Sequence, residues 1–581
     1  MKKLLVFMKS YRKETILAPL FKLLEASFEL FVPLVVAAII DSGIGSGRKG
    51  YVIQMSGVLI ALGLIGLACA VTAQYFSAKA SVGFATKLRH QLFAHIQTLS
   101  FTEMDTIGTS TLITRMTSDI NQIQSGVNLV LRLFLRSPFI VFGAMVMAFT
   151  VDAKAALVFV AAIPLLSVVV FGIMLITMPL YKKVQASLDT VLGITRENLT
   201  GARVLRAFNK EEDEWERFLE NNTLLTGLQK HVGKISNLMN PLTYIIVNGS
   251  IIALIYTGAI RVDTGVLTQG QVVALVNYMS QILVELVKLA NLIISVTKAI
   301  ACGNRVAGIL DIQSSMPDPA SNGSSVSAKV SGTAPAVVFD HVSLTYKDAG
   351  APSLTDISFT AMPGETIGII GGTGSGKSSL VNLIPRFYDA TEGQILIGGT
   401  DIKKLGLGDL RGRIGMVLQK AVLFKGTIAE NLRWGNPDAS DEDLWKALKT
   451  AQAADVVEHK DGQLAAPVEQ GGRNFSGGQK QRLTIARALV RNPEILILDD
   501  SASALDFATD ARLRKAIREL DTNPAVFIVS QRTSSIQHAD KIIVLDDGKA
   551  VGMGTHAELL KSCPAYQEIY YSQFKKEESG R

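Results

Sequence analysis

Apolar residues run nearly unbroken through six stretches of the first half of the chain, roughly 15–40, 53–78, 127–151, 155–180, 241–261 and 270–297. Each reaches the ~20 residues with which a helix covers a bilayer's hydrocarbon core. Several are longer, which predicts tilt or continuation beyond the bilayer. The connections at 79–126 and 181–240 are long and polar. They keep helical spacing and few breakers, so they read as helices that prolong the spans. Residues 314–335 are rich in Ser, Pro, Gly and Ala, the composition of a flexible connector. Beyond them the pattern changes. VVFDHVSLTY, ETIGII, RIGMVL, AVFIVS and the four apolar residues Ile495 to Leu498 read as short strands among helices. The expected organisation is an α-helical membrane domain of six transmembrane helices with long cytoplasmic extensions (1–305), a linker (306–335) and an α/β domain (336–575).

Composition supports the membrane reading. For 581 residues a mean hydropathy of +0.30 and a charged fraction of 19% are too apolar and too charge-poor for a wholly soluble protein. The net charge is +7. A nucleic-acid partner would want that charge clustered on one face, whereas loops beside an anionic leaflet account for it without one. Lys2, Lys3, Lys9, Arg12 and Lys13 precede the first span, and Arg48 and Lys49 follow it. The next loops on that far side carry only Lys154 and Arg261, while the two long connections hold Lys79, Lys87, Arg89, Arg115, Lys182, Lys183, Arg196, Arg203 and Arg206. Both termini and the α/β half are therefore expected on the cytoplasmic side of the membrane. The three cysteines, Cys69, Cys302 and Cys563, are far apart and form no CxxC, so neither a disulfide framework nor a zinc site follows. The N-terminus shows no cleaved signal and reads as a basic, amphipathic segment on the membrane surface.

Ionisable residues within spans are candidates for function. Glu25 and Glu29 stand at i, i+4 in the first span, Arg132 and Arg136 likewise in the third, and Glu285 and Lys288 at i, i+3 in the sixth. One reading is ion pairing near the cytoplasmic interface. The other puts Glu25 and Glu29 on the wall of a substrate cavity that accepts cations.

In the second half, Gly371-Gly372-Thr373-Gly374-Ser375-Gly376-Lys377-Ser378, followed by Ser379, fits G-x-x-x-x-G-K-[ST] between a strand and a helix. Its glycines let backbone N–H groups point at phosphate oxygens, and the following helix adds its N-terminal dipole. Lys377 supplies charge to the β and γ phosphates of ATP, and Ser378 an oxygen to Mg2+. Asp499 ends a buried apolar run, as the second holder of that ion would. Downstream of the loop comes Phe475-Ser476-Gly477-Gly478-Gln479.

At these residues the chain resembles an ATP-binding-cassette (ABC) transporter half of the exporter type, with six spans fused to an ABC nucleotide-binding domain. The resemblance implies further roles. Tyr346, about 25 residues before the loop, would stack on adenine. Gln419 would touch Mg2+ and face the membrane half. Ser476, Gly477, Gly478 and Gln479, with Phe475 where Leu is usual, would close over the γ-phosphate held by a partner's loop. Asp506 would lie at the same dimer contact. The segments from Phe101 to Asp119 and from Glu197 to Phe218 resemble coupling regions.

Two positions depart from the pattern. Asp500 stands where the family has the Glu that polarises water, and its carboxylate is withdrawn by ~1.5 Å. A displacement of ~1 Å can cost about a hundredfold in rate. Gln531 stands where a switch His is usual and carries no proton charge near neutral pH. Gln470 also replaces a usual Glu. The pattern resembles the degenerate-site subunit of heterodimeric bacterial multidrug exporters. It implies pairing with a second, different half-transporter, a low-turnover ATP site here, and a hydrolytic site built with this chain's signature. The alternatives are a homodimeric exporter of lipid or drug and an ATP-gated channel or regulator. A non-transporting ABC ATPase is argued against by the fused spans. The cargo is read only as a small molecule or lipid.

Overall fold

The structure is a computed structural model, and it describes residues 2–319, 334–501 and 503–574. Most of the expected connector, 320–333, lies outside the described residues. The chain forms two compact units, Met1–Gln97 with Thr109–Ile312, and Thr98–Gly108 with Gln313–Arg581.

The first unit consists of long helical segments: α1 (Lys3–Ile44), α2 (Lys49–Thr98), α3 (Thr109–Val151), α4 (Ala153–Thr200), α5 (Glu211–Asp263) and α6 (Gln269–Leu310). All six are long and apolar enough to cross a membrane. At 42 to 53 residues each, they exceed the ~20 needed, so the polar connections do prolong the spans as helices. Their shared core is made of small and branched residues, among them Ala26 and Leu30 of α1, Ile140 and Ala144 of α3, Phe159 of α4 and Leu275 of α6. Tyr278 is wholly buried there, and its hydroxyl donates to the Leu30 carbonyl at 2.6 Å. A buried phenol needs such a partner. Apolar side chains also face outward: Ile60, Leu64 and Leu67 of α2 and Val168 and Leu175 of α4 are exposed. In water that would be a defect; against lipid tails it is the expected exterior. Carboxylates meet orphan N–H groups at two of the helix starts. Asp152 accepts from the Ala155 N–H at 2.7 Å and pairs with Arg261, while Asp41 accepts from the Gly270 N–H at 2.8 Å.

The second unit holds two principal sheets. Strands β1 (Val337–Leu344), β2 (Leu354–Ala361) and β4 (Glu392–Ile397) pair antiparallel, with β1 in the middle, and the two-residue strand Thr400–Asp401 extends the edge. Strands β3 (Thr366–Gly371), β5 (Ile414–Val417), β6 (Ile495–Asp499), β7 (Ala525–Val529), β8 (Lys541–Asp546) and β9 (Lys549–Gly554) form the other, in the order β9-β8-β3-β7-β6-β5. All its pairs are parallel except β8 with β9. Every residue of β3, β6 and β7 is buried, which explains why these strands read as unbroken apolar runs. Phe359 bridges the sheets, with its ring 4.6 Å from Phe339 and 6.3 Å from Phe527.

The short helix Phe101–Ile107 belongs to this second unit. Phe101 lies 4.6 Å from the Phe387 ring, and Asp105 accepts from the Tyr388 hydroxyl at 2.6 Å. Buried Glu103 closes the helix's cap: it accepts from Ser100 N–H at 3.0 Å and from the Ser100 hydroxyl. Burial pushes the Glu103 carboxyl up, but hydrogen bonds from Ser100 and Ser315 outweigh it and hold the group below its usual value.

Candidate nucleotide-binding site

In a parallel sheet, ligands collect at the carboxyl ends of the strands. Here β3 runs into the glycine loop, β6 into Asp499 and Asp500, β7 into Ser530 and Gln531, and β5 into Gln419. Register fixes the juxtaposition, since Val529 pairs with both Ile369 and Asp499. The four ends converge on a cleft of about 250 Å³. Thr373, Gly374, Gly376, Lys377, Ser378 and Ser379 form its loop side, and Gln419, Asp499, Asp500 and Gln531 face them. Residues from Ser353 to Gln531 are thereby assembled into one site.

Gly376 has φ +94° and Gly374 φ +83°, the left-handed region that a side chain disfavours. The helix Lys377–Leu383 begins directly after them. Lys377 folds back so that its ammonium donates to the carbonyls of Gly371 and Gly372 at 3.0 and 2.5 Å, with the Ser375 hydroxyl at 3.4 Å. Burial lowers its pKa, against the pull of Asp500 and Asp499. The Ser378 hydroxyl donates to Asp499 at 3.0 Å. Burial raises the Asp499 carboxyl, helped by the charge of Asp500 and opposed by Ser378 and Lys377. Burial likewise raises Asp500, opposed by Lys377, Arg532 and a hydrogen bond with Gln419. Two carboxyls and a lysine, each disfavoured in its charged form, are a site short of its counter-charges. Mg2+ would relieve the acids, and phosphate would relieve the lysine. Ser378 and Asp499 offer the hard oxygen ligands that Mg2+ takes, with Gln419 beside them. The donor set therefore fits ATP with Mg2+, which would supply charge neutralisation at the phosphates.

Tyr346 follows β1 and is half-buried. Its hydroxyl meets Ser379 at 2.9 Å, and its ring stands edge-on to Tyr388 at 5.0 Å. The signature residues are not on this cleft's wall. Ser476 and Gly477 are exposed, at the start of the helix Gly477–Leu489. Ser476 caps that helix, accepting from Gln479 N–H at 3.3 Å while the Gln479 side chain accepts from Ser476 N–H at 2.9 Å. Gly478 backs onto the Ala504 carbonyl. Phe475 is buried beneath the Lys460 ammonium. Asp506 caps the next helix through the Thr509 N–H at 2.9 Å.

Sequence reasoning missed Arg532, which draws on Asp500 and donates to the carbonyls of Leu505 and Ser503 at 3.3 and 3.2 Å. It also missed Ser353 and Ser530 on the cleft wall. An isolated Arg or Ser carries no signal; only the neighbourhood of Gln531 pointed there.

Within the helical unit, Glu25 pairs with Lys22 at 2.5 Å. Glu29 pairs with Arg136 at 2.6 Å, and Arg136 also holds Glu285 at 2.7 Å. Glu285 pairs with Lys288 at 2.8 Å, the i, i+3 partner read from its spacing. Glu29 lines a cavity of about 450 Å³, whereas Glu25 is not among its lining residues.

Two family matches cover these two parts: the ABC transporter transmembrane region over residues 15–286 and the ABC transporter family over 354–503. The chain is 36% identical over 568 residues to an uncharacterized ABC transporter ATP-binding protein of Mycobacterium bovis, covering 97% of each. It is 30% identical over 501 residues to an ATP-dependent lipid A-core flippase of Hahella chejuensis, covering 86% of this chain and 84% of that one. A solved bacterial Atm1-family ABC exporter with ATP bound superposes with a TM-score of 0.81 at 24% identity, over 97% of this chain and 100% of that one. The fold is that of an exporter, six spans fused to an ATP-binding domain. The chain belongs to the ABC transporter family, and it is an integral membrane protein with transport-coupled ATPase machinery.

Proposed function

We propose that this chain is one half of a heterodimeric ABC exporter, holding ATP at a low-turnover site and lending its signature to a partner's hydrolytic site. The reading rests on the pair Asp500 and Gln531 on the wall of the cleft. Asp500 has a short side chain, sits at φ +45° and is engaged by Gln419. It is poorly provided to reach and polarise an attacking water. Gln531 can hydrogen-bond a phosphate but cannot switch charge. The exposed Ser476 and Gly477, away from this chain's own cleft, suit a duty towards another subunit's ATP. Asp506 would share that contact, and Tyr346 would hold adenine. Basic residues in the connections favour both termini and the ATP site on the cytoplasmic side of a bacterial inner membrane. A relative that flips a lipid supports an amphiphilic cargo.

The test is ATP binding and steady-state ATPase of the purified chain alone in lipid. The expected result is saturable Mg-ATP binding, lost in Lys377→Ala, with little turnover. Robust Lys377-dependent turnover would restore the homodimer.

A further inference from the structure

The cavity in the helical unit is lined by two acids, one base and three uncharged polar groups. Glu29, Glu285, Lys288, Asn277, Ser280 and Gln281 share its wall with apolar Val32, Pro33, Ile140 and Val284. The charges are not equally available. Glu285 is 4% exposed and already engaged by Arg136, Lys288 and the Ser137 hydroxyl. Glu29 and Lys288 are 40% and 42% exposed and keep unused capacity. One oxygen of Glu29 is taken by Arg136 and one proton of Lys288 by Glu285. The cavity therefore presents one carboxylate and one ammonium that are each only partly used by their ion pairs. Gln281 adds a carbonyl oxygen buried without a hydrogen-bond partner. Such an orphan acceptor is costly until a donor arrives.

Depth agrees across three helices. Glu29 lies 15 residues from the Ile44 end of α1, Arg136 lies 15 from the Val151 end of α3, and Glu285 lies 16 from the Gln269 end of α6. At 1.5 Å per residue these are all about 22–24 Å from the same side. In a core of ~30 Å that is the far leaflet, the cytoplasmic one in the orientation proposed above.

We propose that this cavity is a recognition site for the headgroup of a zwitterionic phospholipid bearing a primary ammonium. The inference rests on the exporter reading and names its substrate class. A purely cationic ligand would meet Lys288, and a purely anionic one would meet Glu29; only a head carrying both signs satisfies both, which is specificity by repulsion as well as attraction. The exposed part of the Glu29 carboxylate is an acceptor for N–H donors. A quaternary ammonium has no N–H and is instead recognised by aromatic faces. Among the described residues lining the cavity there is no aromatic ring. A volume of about 450 Å³ houses a head and leaves the acyl chains in the bilayer.

The experiment is native mass spectrometry of the full chain, equilibrated with equimolar phosphatidylethanolamine, phosphatidylcholine and phosphatidylglycerol of identical acyl chains, plus the free fatty acid. Phosphatidylethanolamine should be retained about tenfold over each competitor, the scale of one charge-assisted hydrogen bond. Glu29→Gln should abolish its advantage over phosphatidylglycerol, and Lys288→Gln should lower retention of all three phospholipids, which share the phosphate. Asn277→Ala, outside the ion pairs, should lower retention several-fold at an unchanged melting temperature, so the idea stays testable if a charge variant misfolds. Equal retention of all lipids, or preference for phosphatidylcholine, phosphatidylglycerol or the fatty acid, overturns it. ATP-driven transport without headgroup preference would sink this site and keep the exporter. Selective retention without ATP-driven lipid movement in vesicles, with the partner present, would do the reverse.

Discussion

Substituting Ser476 and Asp500 separately should have unequal consequences for the assembled transporter. Ser476 has two physical duties. As a helix cap it accepts from Gln479 N–H at 3.3 Å, worth ~1 kcal/mol against Ala but only a few tenths against Gly. As a hydroxyl donor closing on a partner's phosphate it would be worth ~3–4 kcal/mol, about 10²–10³ in rate. Ser476→Gly therefore isolates the second duty, since the cap is nearly kept. Ser476→Arg should abolish turnover outright, because a bulky charge then occupies the closing surface. Asp500 is held at φ +45°, and Asn tolerates that region as Asp does. Asp500→Asn removes a carboxylate that burial already disfavours in its charged form. It should leave turnover of the pair within about threefold, below ~1 kcal/mol. Removing the partner's corresponding Glu should cost about a hundredfold or more. The assay is steady-state ATPase of the reconstituted pair. If Asp500→Asn proved as damaging as Ser476→Gly, the division of labour between the two sites would be wrong.

Tyr346→Ala should weaken ATP binding by about tenfold or more, the loss of one base–aromatic stack. Tyr346→Phe, which forfeits only the contact with Ser379 at 2.9 Å, should stay within about threefold, and titration with a fluorescent nucleotide reads both. Glu103 is held below its usual value, so its contribution is complete above the ordinary glutamate range and is lost as pH falls below it. Amide exchange in residues 101–107, corrected for intrinsic rates, should accelerate on acidification in the wild type and much less in Glu103→Gln; equal acceleration would refute the cap. Tyr388→Phe removes a 2.6 Å bond to exposed Asp105. It should lower protection of the same helix by ~0.5–1 kcal/mol, with the Phe101–Phe387 contact intact.

What the sequence made legible follows from how each feature works. The phosphate loop must bring consecutive N–H groups to one anion, so its residues are contiguous and could be read as a string. The six spans were legible because apolar length is a local property. Glu285 and Lys288 were legible as a pair because helical spacing puts them together. Arg136 was not: its two carboxylates lie 107 and 149 positions away, and only the packing of α1, α3 and α6 unites them. That packing changes what Glu29 is. Read alone, it is one of two like charges inviting a cation; beside Arg136, and lining the same cavity as Lys288, it is half of a dipole. The segment holding the helix Phe101–Ile107 is readable as a coupling region by resemblance, but its aromatic partner Phe387 is 286 positions on, and nothing local announces it. Asp500 shows the limit most sharply. The one-methylene shortening is visible in the letters. The left-handed backbone and the Gln419 contact that hold the shortened group are properties of the turn leaving β6. A simple Asp500→Glu reversal therefore asks a longer side chain to accept a conformation that Asp tolerates better. Restoring Glu with Gln531→His should accordingly speed this site less than the partner's equivalent residues speed theirs.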